Sequence, residues 1–206
     1  MLERLIVLVE EPSMEAALEA LLPRLLTQGD FEIRAFQCKD ELLKRLPERL
    51  RGYAQWLPEN WAILVLLDRD DSDCLKLKQT LEQMATEAGL LTKTTVGAGQ
   101  RFQVVNRIVV EELESWFFGD WSAVCAAYPR VPATIPKKDG FRDPDAIRGG
   151  TWEQLERILQ RAGYFSTGLR KYELARAVSA NMLPERNTSR SFQVLCEAVA
   201  TTEQCL

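Results

Sequence analysis

The sequence predicts an α/β fold: a mainly parallel four-stranded sheet with helices on both faces, followed by a helical C-terminal extension. Three observations predict it. Short, nearly continuous apolar runs, strongest in Trp61-Ala-Ile-Leu-Val-Leu-Leu67, have the composition of strands buried on both faces. Amphipathic stretches with helical spacing separate them. Beyond Glu111 the helical pattern continues with no further convincing strand.

Residues 3–9 are rich in β-branched and aliphatic residues and predict the first strand. Ala16, Leu18, Leu21, Leu22 and Leu25 then recur near helical spacing, with Ser13 as the expected cap and Pro23 as an expected kink or break. Residues 31–37 alternate apolar and polar, which predicts a half-exposed strand nearer a sheet edge. Asp40 is the expected cap of a second helix with Leu42, Leu43, Leu46 and Leu50 on one face. Residues 61–67 form the third strand, and a helix follows from about Cys74 to Ala88, stopped by Gly89. The Gly97-Ala98-Gly99 loop leads into the fourth strand, 102–110. That loop is too short and wrongly placed for a phosphate loop or dinucleotide fingerprint. Short helices are expected over 111–118 and, capped by Asp120, to about Tyr128, and further helices near 152–162, 172–182 and 189–200. The expected organisation is an α/β domain over 1–128, a long surface loop rich in Pro, Gly, Lys and Asp over 129–150, and a helical region over 151–206 packed on the same domain.

Composition narrows the chemistry. With 206 residues, 46% of them hydrophobic, a substantial core is expected. No stretch approaches the roughly 18 to 20 uncharged apolar residues of a membrane span, and the N-terminus lacks a secretory pattern, so a cytoplasmic location and no membrane partner are expected. The five cysteines are scattered and never spaced as Cys-x-x-Cys, which suggests neither a disulfide framework nor a zinc site. The absence of histidine removes imidazole as a base or ligand and leaves carboxylates, lysines and tyrosines. A net charge of −4 argues against holding nucleic acid through a globally basic surface.

Open parallel sheets bind ligands outside the carboxyl ends of their strands, and here three of the four predicted strands end in acid. Glu10 and Glu11 follow the first. Asp68, Asp70, Asp71 and Asp73 follow the third, and Glu111, Glu112 and Glu114 follow the last. Hard oxygen ligands of this kind suit Mg2+ or Mn2+, which also relieves their mutual repulsion. Each acid has a local reading as well, since acids near helix N-termini cap amides and complement the dipole. If the third strand persists through Asp68-Arg69-Asp70, both carboxylates point the same way and can share one ion. If the segment after the fourth strand is helical, Glu111 and Glu114 share a face; if it is extended, Glu112 and Glu114 do.

A glutamate at the end of the first strand followed by Asp68-Arg69-Asp70 resembles the toprim fold of topoisomerases, primases and overcoming-lysogenisation-defect nucleases. In that fold these residue types bind magnesium. Over nearly its full length the chain more closely resembles bacterial domain-of-unknown-function family 4276. The resemblance runs through Val9-Glu10-Glu11-Pro12-Ser13, Leu67-Asp68-Arg69-Asp70, Asp73-Cys74, Leu77-Lys78, Glu111-Glu112-Leu113-Glu114-Ser115-Trp116-Phe117, Asp143-Pro144-Asp145 and Ser189-Arg190-Ser191-Phe192. Glu11 stands where members generally carry glycine, and Met14 where an acidic residue is common. The resemblance implies Glu10 as metal ligand or general base, Asp68 and Asp70 as metal ligands, and an ABC- or SMC-like ATPase partner in phage defence.

The expected metal set is Glu10, Asp68, Asp70, Glu112 and Glu114. The expected catalytic set is Glu10, Asp68, Asp70 and Lys171, with Lys171 stabilising the pentavalent transition state as a point charge. Arg69, Lys137, Lys138 and Arg170 are the candidates to hold a phosphodiester backbone; Arg101, Arg142 and Arg148 are weaker ones. Trp116, Phe117 and Phe118 read as core aromatics rather than base-stacking platforms. The expected function is Mg2+-dependent cleavage of DNA or RNA. A non-catalytic subunit docking on an ATPase is the main alternative, nucleotidyl transfer a weaker one, and a homo-oligomer is compatible with either.

Overall fold

Four apolar runs pair as parallel strands in a computed structural model that describes residues 1–70, 72–97 and 99–205. Asp71, Ala98 and Leu206 lie outside the described residues, so the expected contribution of Asp71 to the acidic cluster and the centre of the Gly97-Ala98-Gly99 loop lie outside them too. The strands are β1 (Arg4–Val9), β2 (Asp30–Ala35), β3 (Trp61–Asp68) and β4 (Val104–Val109), in the order β2-β1-β3-β4. Val7 lies opposite Ile33 on one side and Leu64 on the other. The helices α1 (Pro12–Leu25), α2 (Lys39–Ala54) and α3 (Cys74–Glu87) make the three crossovers.

Because strand side chains alternate, the sheet has two apolar faces. Leu5, Val7, Val9, Ala62, Leu64 and Leu66 face α1 and the C-terminal helices. Ile6, Leu8, Ile63, Val65 and Leu67 face Leu42, Leu46 and Leu50 of α2 and Leu77 and Leu81 of α3. The central strands are apolar almost throughout for this reason, whereas β2, at one edge, keeps mostly half-exposed side chains.

The chain after β4 forms α4 (Glu114–Gly119), α5 (Trp121–Ala127), α6 (Thr151–Arg161), α7 (Lys171–Ser179) and α8 (Arg190–Cys205). Asp120 caps α5 as expected, accepting the Ala123 amide at 3.4 Å. Its buried carboxylate also takes both ends of the Arg186 guanidinium, at 2.6 and 2.8 Å. Trp116 and Phe117 are fully buried, and Phe118 nearly so. No helix among the described residues is long and apolar enough to cross a membrane.

Several local expectations change. Ser13 does not cap α1: Pro12 takes the first helical position, where its missing N–H costs nothing, so Glu11 becomes the cap residue and Ser13 donates its hydroxyl to Glu11. Pro23 does not end α1, which continues to Leu25, where Arg24 ties it to the Ser179 and Met182 carbonyls at the end of α7. Cys38 rather than Asp40 occupies the cap of α2, and Glu41 reaches back to the Gln37 amide at 2.7 Å. Residues 129–150 run mostly exposed along the surface, as expected, but are anchored to the core. They contain two short 3₁₀ turns, and Val131, Ile135 and Ile147 are buried against the core, replacing periodic secondary structure with separate apolar anchors.

Three of the family-resembling stretches meet at α8. Asp145 accepts the Ser189 hydroxyl at 2.7 Å and the Arg190 and Ser191 amides at 2.5 and 3.3 Å. Trp116 donates to Ser191 at 2.9 Å and packs edge-on against Phe192. Asp145 is therefore the cap of α8 supplied from a remote turn. Replacing Asp145 with Ala is expected to lower stability by about 1–3 kcal/mol, read from urea unfolding, with the fold retained.

Candidate carboxylate site at the sheet edge

From β1 the chain turns to β2 on one side, then returns to β3 and β4 on the other, so β1 and β3 flank the point where strand order reverses. A crevice opens outside the carboxyl ends of strands at such a point. Here it is a pocket of about 470 Å³ whose lining includes Glu10, Asp68, Asp70, Glu112, Lys39 and Lys171.

Glu10 follows the last residue of β1, and Asp68 is the last residue of β3; both are buried. The Glu10 carboxylate accepts the Asp68 backbone N–H at 3.2 Å, which holds the two strand ends together. Asp68 Oδ1 is buried and makes no hydrogen bond. Glu114, in the first turn of α4, is also buried. Asp68 continues the row Ala62, Leu64, Leu66, so it points to the face covered by α1 and α7, while Lys39 reaches the site from α2 on the other face. The acids therefore straddle the end of the sheet.

Burial dominates their electrostatics. It raises Glu10 from 4.5 to about 7, with Lys39 opposing and Asp70 and Glu11 adding to the rise. It raises Asp68 well above the usual carboxylate range, reinforced by Glu10, Glu114 and Glu11. It raises Glu114 to about 7 despite Lys171. Burial alone would lower Lys171, but Glu114, Glu11, Glu112 and Asp68 outweigh it and raise its pKa. Lys171 stands 5.2 Å from the centroid of the Trp152 ring, which fixes its ammonium over an apolar face.

Asp70 departs from the expected pairing with Asp68. The strand ends at Asp68, and Asp70 has φ 46°, so the two do not alternate along one strand. Its N–H donates to the carbonyl of Glu111, which is itself left-handed at φ 63°. Two non-glycine residues in this region, facing one another across adjacent strand ends, are a costly arrangement of the type concentrated at functional sites. Asp70 lines the pocket from its exposed rim and pairs with Lys39, whose ammonium also donates to the Arg69 carbonyl at 3.1 Å.

Glu112 sits in neither a strand nor a helix. One carboxylate oxygen accepts the Thr151 amide, the Thr151 hydroxyl and the Trp152 amide at 2.8, 2.7 and 3.1 Å, capping α6 from 39 positions away. Asp73 caps α3, the local role open to it, accepting the Leu75 and Lys76 amides at 2.9 and 3.1 Å. Among the cations, Lys171 lines the pocket. Arg69 is paired with Glu111, Arg170 with Glu173 at 3.0 Å, and Lys137 and Lys138 are exposed at a 3₁₀ turn outside the pocket lining. Lys39 escaped the sequence reading because a lysine in the first turn of a helix looks like an ordinary solvated cation, and its placement depends on α2 starting beside β3. Glu11 needs no glycine in its place, since its backbone is extended at φ −146°.

Among the described residues, no group of three or more Asp, Glu, Cys or His side chains is already gathered to hold a metal ion. The donor chemistry nevertheless fits Mg2+ or Mn2+: hard carboxylate oxygens, one of them buried without a partner, beside a second carboxylate and open to a polar pocket. Glu10 and Asp68 would hold the ion, with Glu114 behind them and Asp70 on the rim.

A family model described as a domain of unknown function (DUF4276) matches residues 9–200. No curated protein and no solved structure matches the chain.

In chelator-treated protein, Glu10 and Glu114 keep their protons between pH about 4.5 and about 7 while the unfolded chain releases its own. Stability is therefore expected to fall as pH rises through that window and to level above it. Replacing Glu114 with Gln should raise stability at pH 8 by on the order of 2 kcal/mol and leave it unchanged near pH 4, read as urea midpoints in EDTA. Replacing Glu112 with Ala should cost about 1–2 kcal/mol at both, because its loss uncaps α6.

Proposed function

The chain belongs to the family described as domain of unknown function (DUF4276), and we propose that its carboxylate site is the centre of a toprim-like, Mg2+- or Mn2+-dependent phosphodiesterase acting on DNA or RNA. The observation that carries the reading is Asp68, a buried carboxylate with an unpartnered oxygen, held against Glu10 at the switch point of a parallel sheet. A lone buried carboxylate is costly, and retaining two of them together makes physical sense where a cation completes the site.

When bound, the ion polarises a phosphoryl oxygen and lowers the pKa of water. The chain supplies the rest. Glu10 and Asp68 would hold the ion from the ends of two adjacent strands, rigid elements that limit their movement. Asp70, which pairs with Lys39 on the rim, would be a further ligand, and Lys39 lines the pocket where a substrate phosphate would sit. Lys171, anchored over Trp152, presents a fixed positive charge to the charge developing on the transferring phosphoryl group. Glu10, which burial keeps protonated near neutrality in the metal-free site, would give up its proton on binding the ion, so the proton of the attacking water would pass to solvent.

The engagement of Asp70 by Lys39 and of Glu112 by α6 favours a second reading: a non-catalytic subunit that docks on an ABC- or SMC-like ATPase, in a phage-defence setting.

Calorimetry with Mg2+ and Mn2+, paired with cleavage of labelled single strands, RNA and plasmid, separates the readings. Wild type is expected to bind metal with release of protons near pH 6.5, because burial keeps its ligands protonated there. Glu10→Gln and Asp68→Asn should lose binding at least about tenfold and cleavage at least about a hundredfold while folding normally. Absence of metal binding at millimolar ion would sink the enzyme reading.

A further inference from the structure

A second, larger cavity of about 790 Å³ opens at the other end of α2, between its C-terminal half, the edge strand β2 and the start of β3. Drug- and nucleotide-sized ligands occupy pockets of roughly 300–1,000 Å³. α2 packs on the sheet through Leu42, Leu46 and Leu50, and the residues flanking that stripe, Arg45, Glu48, Arg49, Gly52 and Tyr53, line this space. Lys39 at the carboxylate site and Tyr53 here lie on the same helix, about 21 Å apart along its axis.

The lining combines two chemistries. Tyr53, Trp56 and Trp61 form a run of ring contacts, with centroids 5.5 Å apart for the first pair and 5.8 Å for the second. Trp56 is 55% exposed, although its neighbours in the run are half-buried. Arg34, Arg45 and Arg49 surround the rings. Arg34 is paired with Glu32 and Arg45 with Glu41, and Arg49 makes no salt bridge among the described residues.

The charges choose between possible aromatic-pocket ligands. A quaternary ammonium would need the ring faces free and an acidic surround. Here the arginines outnumber Glu32 and Glu48 in the lining, and the Arg4 guanidinium already lies 4.8 Å from the Trp61 ring centroid. An anion carrying a flat aromatic group fits both halves. Nucleotides have that chemistry: the base stacks, and guanidinium groups hold the phosphate. A duplex hides its base faces, so a single strand is the polymer that can use the rings.

We propose that this cavity binds a nucleotide unit of single-stranded nucleic acid, its base stacked on Trp56 and its phosphate held by Arg45 and Arg49. The nucleotide chemistry stands on the cavity alone. Its assignment to a strand that continues along α2 to the carboxylate site rests on the phosphodiesterase reading.

The test is fluorescence anisotropy of a fluorescein-labelled decathymidylate with the full chain in EDTA, which silences metal chemistry, compared with a labelled duplex. Wild type is expected to prefer the single strand. Trp56→Ala should weaken binding at least about fivefold. The double replacement Arg45→Ala/Arg49→Ala should also reduce the slope of log K against log salt by roughly 0.7, the value for one phosphate contact on a single strand. Gly52→Leu provides a variant independent of losing contacts: a Cβ at Gly52 meets nothing within 4 Å, and leucine favours the helix over glycine, so it fills the cavity without disturbing the fold. It should weaken binding with thermal stability at or above wild type. Unchanged affinity in all three folded variants would overturn the site. Thymidine monophosphate binding as tightly as the decamer would overturn the strand in favour of a free nucleotide. A failed metal titration of the wild-type chain with intact strand binding removes the phosphodiesterase reading and leaves the pocket. Intact metal-dependent cleavage with strand binding unchanged in the cavity variants does the reverse.

Discussion

The carboxylate of Asp68 is where the architecture is under most constraint. It continues a row of side chains that are otherwise Ala62, Leu64 and Leu66, so the strand delivers it into an apolar layer, and one of its oxygens has nothing to bond. An ionised group there is tolerable only if neighbouring groups share a proton with it or a cation approaches. The surrounding structure accommodates this from both sides of the sheet. Lys39 comes from α2 on one face, Lys171 from α7 on the other, and the Asp68 amide binds Glu10 between them. Lys39 acts on Glu10 and Lys171 on Glu114, and neither makes a salt bridge with Asp68, so its oxygen is left unoccupied.

The C-terminal helices matter to this site through mechanics as well as chemistry. Arg24 ties the end of α1 to the last carbonyls of α7, and Glu203 of α8 accepts the Thr27 and Gln28 amides just beyond α1 at 2.7 and 2.9 Å. α1 begins immediately after Glu10 and Glu11, and α7 begins with Lys171. The two helices that start at the site are thus held together at their far ends. Glu112 adds a tie on the β4 side by gripping the start of α6.

The fold was largely legible because apolar periodicity is a local signal. The buried runs at 4–9 and 61–68 and the alternation at 30–35 announce two inner strands and an edge, and the acids at the strand ends follow from simple adjacency. What escaped was set by distant contacts. Nothing near Glu112 in the sequence shows that Thr151 will claim it. Nothing near Lys39 shows that α2 starts beside Asp70. The left-handed turn at Asp70 arises from its bond to the equally unusual Glu111 on the neighbouring strand, a pairing invisible to alternation rules. The segment 129–150 reads as a loop by its prolines and glycines, yet isolated residues such as Ile135 and Ile147 dock it on the core.

The span in sequence between the parts of the carboxylate site has a consequence for how the protein is made. The sheet is complete in sequence at Val109, but Lys171 follows 62 positions later, counting from 109 to 171. At about 5–20 residues per second of translation, a ribosome holds the chain in that interval for roughly 3–12 s. Throughout it Glu10 and Asp68, joined by Glu114 five residues in, exist without the Lys171 ammonium that faces them in the finished protein. A nascent chain at this stage carries the acids and Lys39 but not Lys171, so completion of the C-terminal helices separates synthesis of the sheet from the arrival of the second ammonium at its carboxylate pocket.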